Sequence, residues 1–137
     1  MTKKSIHITE FDLARLEKLL SIERTSGRGG ERLSGLEAEI RRATIVKAKV
    51  LPHNVVTMNS TVELADLDTG STEVCTLVFP KEADIDRNKV SVLAPIGTAM
   101  LGYKAGDVFE FQAPAGKRRL RVDRLLYQPE TTGDHKL

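Results

Sequence analysis

The sequence predicts an α+β protein in two parts. Residues 1–50 read as a short antiparallel helical hairpin, a small coiled coil, and residues 51–137 as a small, twisted, mainly antiparallel sheet holding one short helix. Three observations predict this. Leu13, Leu16 and Leu20 recur at helical spacing, as do Leu33, Leu36, Ile40 and Ala43, with a glycine-rich break between the two sets. Beyond Pro52 the helical period gives way to alternation punctuated by turn residues. Val90–Asp107, reading VSVLAPIGTAMLGYKAGD, then runs from a strand into Pro95, through an apolar helix body, and out through Gly102 and Gly106.

Each element has a local reason. Thr9 can cap the first helix with Asp12 three residues on, while Ile8 and Leu13 occupy the positions of a hydrophobic staple. The helix is expected to span Glu10–Ser21 at most, about 18 Å at ~1.5 Å per residue. Gly27, Gly29 and Gly30 interrupt it, and Ser34 with Glu37 forms an S-x-x-E box that restarts the helix. Neither helix can bury its stripe alone, so the two are expected to fold back on each other. Pro52 disfavours helix at Leu51 and marks the boundary. Val62 and Leu64 alternate with polar neighbours, Asp68-Thr69-Gly70 offers a turn, and Thr72–Phe79 reads as a strand. Pro80–Asn88 reads as a polar loop and Lys89–Leu93 as a strand. Val108–Ala113 and Arg118–Tyr127 read as strands joined by Pro114-Ala115-Gly116, and Gln128–Leu137 as a tail.

Composition narrows the function. Net charge is +2 with 29% charged residues, a balanced surface that gives no bulk electrostatic drive toward nucleic acid. Aromatics make up 4%, so aliphatic side chains must fill the core. The single cysteine, Cys75, permits no intramolecular disulfide and no cysteine metal cluster, and its apolar surroundings read as core. The N-terminus lacks the apolar stretch of a leader, and no run approaches a membrane span, so a cytoplasmic location is expected.

The chain carries no motif for hydrolysis or phosphoryl transfer: H-E-x-x-H, a P-loop and G-x-S-x-G are all missing. His7, His53 and His135 lie far apart, none with a metal-type partner one helical turn away. Asp66 and Asp68 read as turn formers. Glu82, Asp84 and Asp86 would share one side only if their loop were extended, and no fourth ligand accompanies them. The densest charge is Lys117–Arg124, where Arg119, Arg121 and Asp123 share a strand face; this reads as a charged edge strand that resists aggregation. The hairpin tip holds Glu23, Arg24, Arg28, Glu31 and Arg32, a polar loop able to bind a partner.

Ala94-Pro95-Ile96-Gly97-Thr98-Ala99-Met100-Leu101-Gly102, followed by Gly106-Asp107, resembles the S-P-x-x-x-A-L-L-G-x-x-x-G-D pattern of the Gre transcription elongation factors, with Ala94 in place of Ser and Met100 in place of Leu. The resemblance covers about Val55–Tyr127 and implies the FKBP-like fold of the Gre C-terminal domain. Pro52-His53-x-Val55-Val56-Thr57-Met58-Asn59-Ser60 and the tail Tyr127-Gln128-Pro129-Glu130-x-x-Gly133-Asp134 are similar to the Rnk branch of that family, whose name links it to regulation of nucleoside diphosphate kinase.

The resemblance implies a partner, RNA polymerase at the rim of its secondary channel, and a docking segment that maps to Leu93, Ala94 and Pro95. The family often has an acidic residue where this chain has Leu93, so the expected contact is apolar. Gre factors cleave backtracked RNA with a long coiled coil whose tip, of G-D-L-S-E-N-A-E-Y type, holds a metal through an acidic pair. Here the arm is short and the tip is rich in Gly and Arg. The resemblance therefore implies a non-catalytic regulator that competes with longer-armed factors, with no cofactor, no metal, no independent sequence-specific DNA binding and no membrane partner. The alternative is a protein-interaction module acting on another partner, with nucleoside diphosphate kinase as its output. A prolyl isomerase is disfavoured by the scarcity of aromatics for a proline pocket.

Overall fold

The computed structural model describes residues 6–27, 30–47, 49, 51 and 54–129, with only the backbone of residues 30–32. Ten elements follow in order: β1 (His7–Thr9), α1 (Glu10–Thr25), α2 (Gly30–Arg42), β2 (Thr44–Val46), β3 (Thr61–Asp66), β4 (Thr72–Val78), β5 (Lys89–Ser91), α3 (Pro95–Met100), β6 (Val108–Ala113) and β7 (Gly116–Tyr127).

The predicted cap on α1 forms: Thr9 is extended and its Oγ1 accepts from the Asp12 amide at 3.0 Å. The helix runs a full turn beyond Ser21, to Thr25. Residues 22–25 contain no Gly or Pro, and Gly27 (φ 71°) is the first residue to take the left-handed conformation that ends a helix. At 16 residues the helix is about 24 Å long by the ~1.5 Å rise per residue. The second helix also differs from expectation. It starts at Gly30, so Ser34 and Glu37 lie inside it and form no cap. Leu33 and Leu36 are buried, and this packing draws the helix through glycines that propensity alone would exclude.

A short parallel pair, β1 with β2, ties the start of α1 to the end of α2. The main sheet has the order β5-β4-β3-β7-β6. Its pairs are antiparallel except β4 with β5, where the 80–88 connection lets the chain return alongside β4 in the same direction. That connection is two 3-10 turns, Pro80–Glu82 and Ile85–Arg87, rather than an extended loop. A bulge in β7 near Asp123 changes which residues face inward: Leu120 and Val122 are buried before it, and Leu125 opposes Val62 after it.

The hairpin and the sheet share one core. Leu16, Leu20, Leu33 and Leu36 from the helices join Val62, Leu64, Leu77, Leu120 and Val122 from the sheet and Met100 and Leu101 from α3. Gln128, expected at the start of a tail, is buried, and its Nε2 donates to the Val55 carbonyl at 2.7 Å. Residues 130–137 lie outside the described chain. Among the described residues no helix is long and apolar enough to cross a membrane.

Entry to α3 depends on close backbone approach. A Cβ at Gly97 would lie 2.0 Å from the Ser91 carbonyl oxygen, whereas one at Gly35 in α2 would find its nearest neighbour at 3.9 Å. Gly97→Ala is therefore expected to cost about 3 kcal/mol or more through the forced backbone shift. Gly35→Ala is expected to gain about 0.5–1 kcal/mol from helix propensity. Urea denaturation of the two variants checks the opposite signs.

Candidate functional site

The segment singled out for docking is the turn from β5 into α3. Ser91 organises it: its Oγ accepts from the Leu93 amide at 3.0 Å and its carbonyl accepts from the Ala94 amide at 3.0 Å. Thr98 closes the turn from the helix side, its Oγ1 donating to the Val92 carbonyl at 2.5 Å. Leu93 is half-buried against the core, Ala94 is half-buried at the N-cap, and Pro95 is exposed at the first helical position. Ala94 offers no side-chain cap, so proline, which has no N–H to satisfy, is suited to the next position. The result is a small, pre-shaped apolar ridge that can be packed against.

The tip residues do not gather into one loop. Glu23 and Arg24 lie in the last turn of α1, not beyond it. Arg28 lies outside the described residues; Glu31 and Arg32 fall in α2, with side chains outside the description. Arg24 is ion-paired with Glu37, which also lies 3.9 Å from Arg41. A shallow cleft of about 230 Å³ between the helices is lined by Glu17, Leu20, Arg24, Glu37, Ile40 and Arg41. Arg24 thus holds the two helices together through Glu37 as well as facing solvent.

Sequence reasoning missed the junction between hairpin and sheet. Asp12 was read only as a capping-box residue. Its carboxylate is 1% exposed: Oδ2 accepts from the Met58 amide at 3.0 Å and Oδ1 pairs with Arg15 at 2.6 Å. The Arg15 guanidinium lies over the rings of Phe11 (4.3 Å) and Phe79 (4.9 Å). The donating turn is itself built by side chains, since the Thr57 amide donates to Ser60 Oγ at 2.9 Å and the two hydroxyls lie 2.7 Å apart. Asn59 adopts φ 66°, which asparagine tolerates, and donates its amide to the Leu77 carbonyl at 2.6 Å. A second tie runs from α2, where Arg42 donates to the Tyr103 hydroxyl at 3.0 Å and pairs with Glu39 at 2.5 Å. Buried Tyr103 stacks on Phe109 with centroids 6.0 Å apart. The only sequence signals were an acid in a cap position and a T-M-N-S stretch beside a strand.

The basic run is not an edge strand. β7 lies between β3 and β6, and its cations are neutralised across the sheet. Arg118 pairs with Asp66 (3.1 Å) and Glu73 (3.4 Å), Arg119 with Asp68 (2.9 Å), Arg121 with Asp123 (2.7 Å), Arg124 with Glu63 (3.4 Å) and Lys117 with Glu110 (3.6 Å). A face so paired presents no excess positive charge to a phosphate backbone. In the 80–88 connection Asp84 is used as a cap, accepting from the Asp86 amide at 3.1 Å. Among the described residues no group of three His, Cys, Asp or Glu side chains is placed to hold a metal. His7 lies in β1, while His53 and His135 fall outside the described residues. Burial, helped by the nearby Glu73 charge, pushes the Cys75 thiol up to about 12, matching its reading as core.

Asp66 shows what the turn acids do. Its Oδ1 accepts from the amides of Asp68 (2.9 Å) and Thr69 (3.1 Å), and these bonds, with help from Arg118, hold its carboxyl below the ordinary value of 3.8. A depressed carboxylate contributes stability above its unfolded value and loses it as pH falls through the folded one. Asp66→Asn should therefore lower the urea midpoint by a constant amount from pH 7 to about 5, and the gap should close below about pH 4. Urea melts of both proteins across pH check this.

Comparison with known proteins places these features. Residues 51–127 match the family model described as "Transcription elongation factor, GreA/GreB, C-term", and residues 4–46 match "Rnk N-terminus". The chain is 38% identical, over the full length of both sequences, to the "Regulator of nucleoside diphosphate kinase" of Escherichia coli K12. It is 35% identical to the transcription elongation factor GreA of Hyphomonas neptunium over 71% of this chain and 62% of that one. Among solved structures, the prokaryotic transcription elongation factor GreA/GreB from Nitrosomonas europaea superposes with a TM-score of 0.73 at 39% identity, covering 89% of this chain and 99% of that one. The GreA factor homolog 1 of Thermus thermophilus gives 0.50 at 26% identity, over 90% and 100% of the two chains.

Proposed function

This chain belongs to the Gre family of transcription elongation factors, and we propose that it is a non-catalytic member that binds RNA polymerase at the secondary-channel rim and competes there with longer-armed factors. In this reading residues 51–137 dock, with Leu93, Ala94 and Pro95 as the apolar contact, and residues 1–50 form the arm.

The observation that carries the reading is the pairing of a Gre-type domain with a short hairpin. The docking turn is rigid and solvent-facing at Pro95. The arm is about 24 Å long by ~1.5 Å per residue, and in the last turn of α1 Arg24 is tied to Glu37. A metal needed for RNA cleavage requires convergent oxygen ligands, and an arginine-paired glutamate is a poor donor for it. Such a protein occupies the channel entrance, blocks access and leaves backtracked RNA uncut. A cytoplasmic location accompanies this reading. The name of the Escherichia coli relative favours a second one, in which the chain acts on nucleoside diphosphate kinase through a different partner.

Displacement of a labelled Gre factor from core polymerase separates these readings. Wild-type protein should displace it, and Leu93→Asp with Pro95→Ser should do so at least about tenfold less well, since a charge would enter a desolvated contact. No cleavage of RNA in a backtracked complex should accompany binding. A circular dichroism melt controls for folding, because Leu93 also packs on the core. No displacement at high wild-type concentration would move the search to the other partner.

A further inference from the structure

The helical hairpin is tied to the rest of the fold by polar contacts far apart in sequence, one from each helix and one from β1, whose His7 amide donates to the Gly102 carbonyl at 3.1 Å. On α1, buried Asp12 accepts from the Met58 amide at 3.0 Å. On α2, Arg42 donates to the hydroxyl of buried Tyr103 at 3.0 Å. The two helices are joined to each other at the far end by Arg24 with Glu37 and at the near end by β1 with β2. A body attached at one point can pivot, and at two it can still turn about the line joining them; with the β1 bond as a third attachment that turn strains at least one of the three. Apolar packing beneath is non-directional and fixes an angle less sharply than hydrogen bonds do.

We propose that Asp12 and Tyr103 are positioning residues which set the angle of the hairpin on the sheet, and that this preset angle governs the hold on polymerase. The second part rests on the polymerase-rim reading. The chemistry of each tie is demanding. Asp12 faces donors on both oxygens, the Met58 amide and the Arg15 guanidinium, so an asparagine must turn its own NH2 toward one of them. Tyr103 contributes a single hydroxyl, and its ring stacks independently on Phe109. Tyr103→Phe therefore removes the hydrogen bond and leaves the ring packing, including the Arg42 guanidinium 5.7 Å from the ring centroid. A pre-set arm binds without a further loss of conformational freedom, whereas a loosened one must be ordered on binding.

Spin labels at Ser21→Cys on α1 and Thr72→Cys on β4, both exposed positions, report the angle as a distance distribution. Buried Cys75, its thiol held to about 12, stays unlabelled. The labelled parent is expected to give one narrow distance. Tyr103→Phe combined with Asp12→Asn should broaden it, with Tyr103→Phe alone giving a smaller broadening. Affinity for core polymerase should fall about three- to tenfold in the double variant although no docking residue has changed. Tyr103→Phe alone keeps the measurement decisive if the double variant does not fold. A broad distribution in the parent, or an unchanged narrow one in Tyr103→Phe and the double variant, overturns the positioning role. Broadening with unchanged polymerase affinity overturns its functional half. Absence of polymerase binding by the parent defeats the rim reading, while the distances still decide whether the ties set the angle.

Discussion

The buried carboxylate of Asp12 is the interaction on which the rest of this structure depends. An ionised group that is 1% exposed must be compensated, and it is compensated by the Met58 amide and by Arg15, itself laid over two phenylalanine rings. Each partner belongs to a different part of the chain. Arg15 is one turn along α1, Met58 is in the turn that starts β3, and Phe79 closes β4. Removal of the carboxylate would leave the Met58 amide without this acceptor and take from the partly exposed Arg15 its paired acid, a cost of about 1–3 kcal/mol. One residue therefore joins the capped start of the hairpin to the 57–60 turn beside the sheet.

That constraint gives the molecule its functional form. A Gre-type domain with a freely swinging arm would present many shapes to a partner. Here the arm shares its core with the sheet, and the apolar ridge at Leu93–Pro95 is held by Ser91 and Thr98. The cations of β7 are paired, the arginines with acids on β3, β4 and the adjoining turn and Lys117 with Glu110 on β6. In the proposed reading, shape and apolar contact at the ridge drive association with the protein rim.

Much of this was legible in the sequence because local signals and tertiary outcome agree. The Thr9 cap, the Pro95 entry to α3, its exit at Gly102, the turn after Asp66 and Val108–Ala113 all appear where the residues point. The misreadings share a cause: packing overrode local preference. Leu33 and Leu36 pulled α2 through Gly30 although Ser34 offered a better start. β1 and β2 are three residues each, too short for a period to register, although Ile6 and Ile8 flanking His7 hinted at one. The β7 run looked like an edge because strand order is not written in a strand's own residues, and its bulge hid a change of face. The Asp12 tie spans 46 residues, and its local traces are only an acid in a cap position and a T-M-N-S stretch. The turn into α3 was recognisable only as a motif; its geometry explains why Gly97 and Pro95 belong in it.

The central claim is that the turn into α3 is the surface this protein offers to polymerase. A photo-activatable residue at position 95, mapped by mass spectrometry after irradiation with core polymerase, tests it most directly. The account predicts crosslinks confined to the rim of the secondary channel, abolished by excess Gre factor, with none from the same probe at exposed Thr72 on the far end of β4. Crosslinks from Thr72 but not from position 95, or crosslinks from position 95 that excess Gre factor leaves intact, would contradict it.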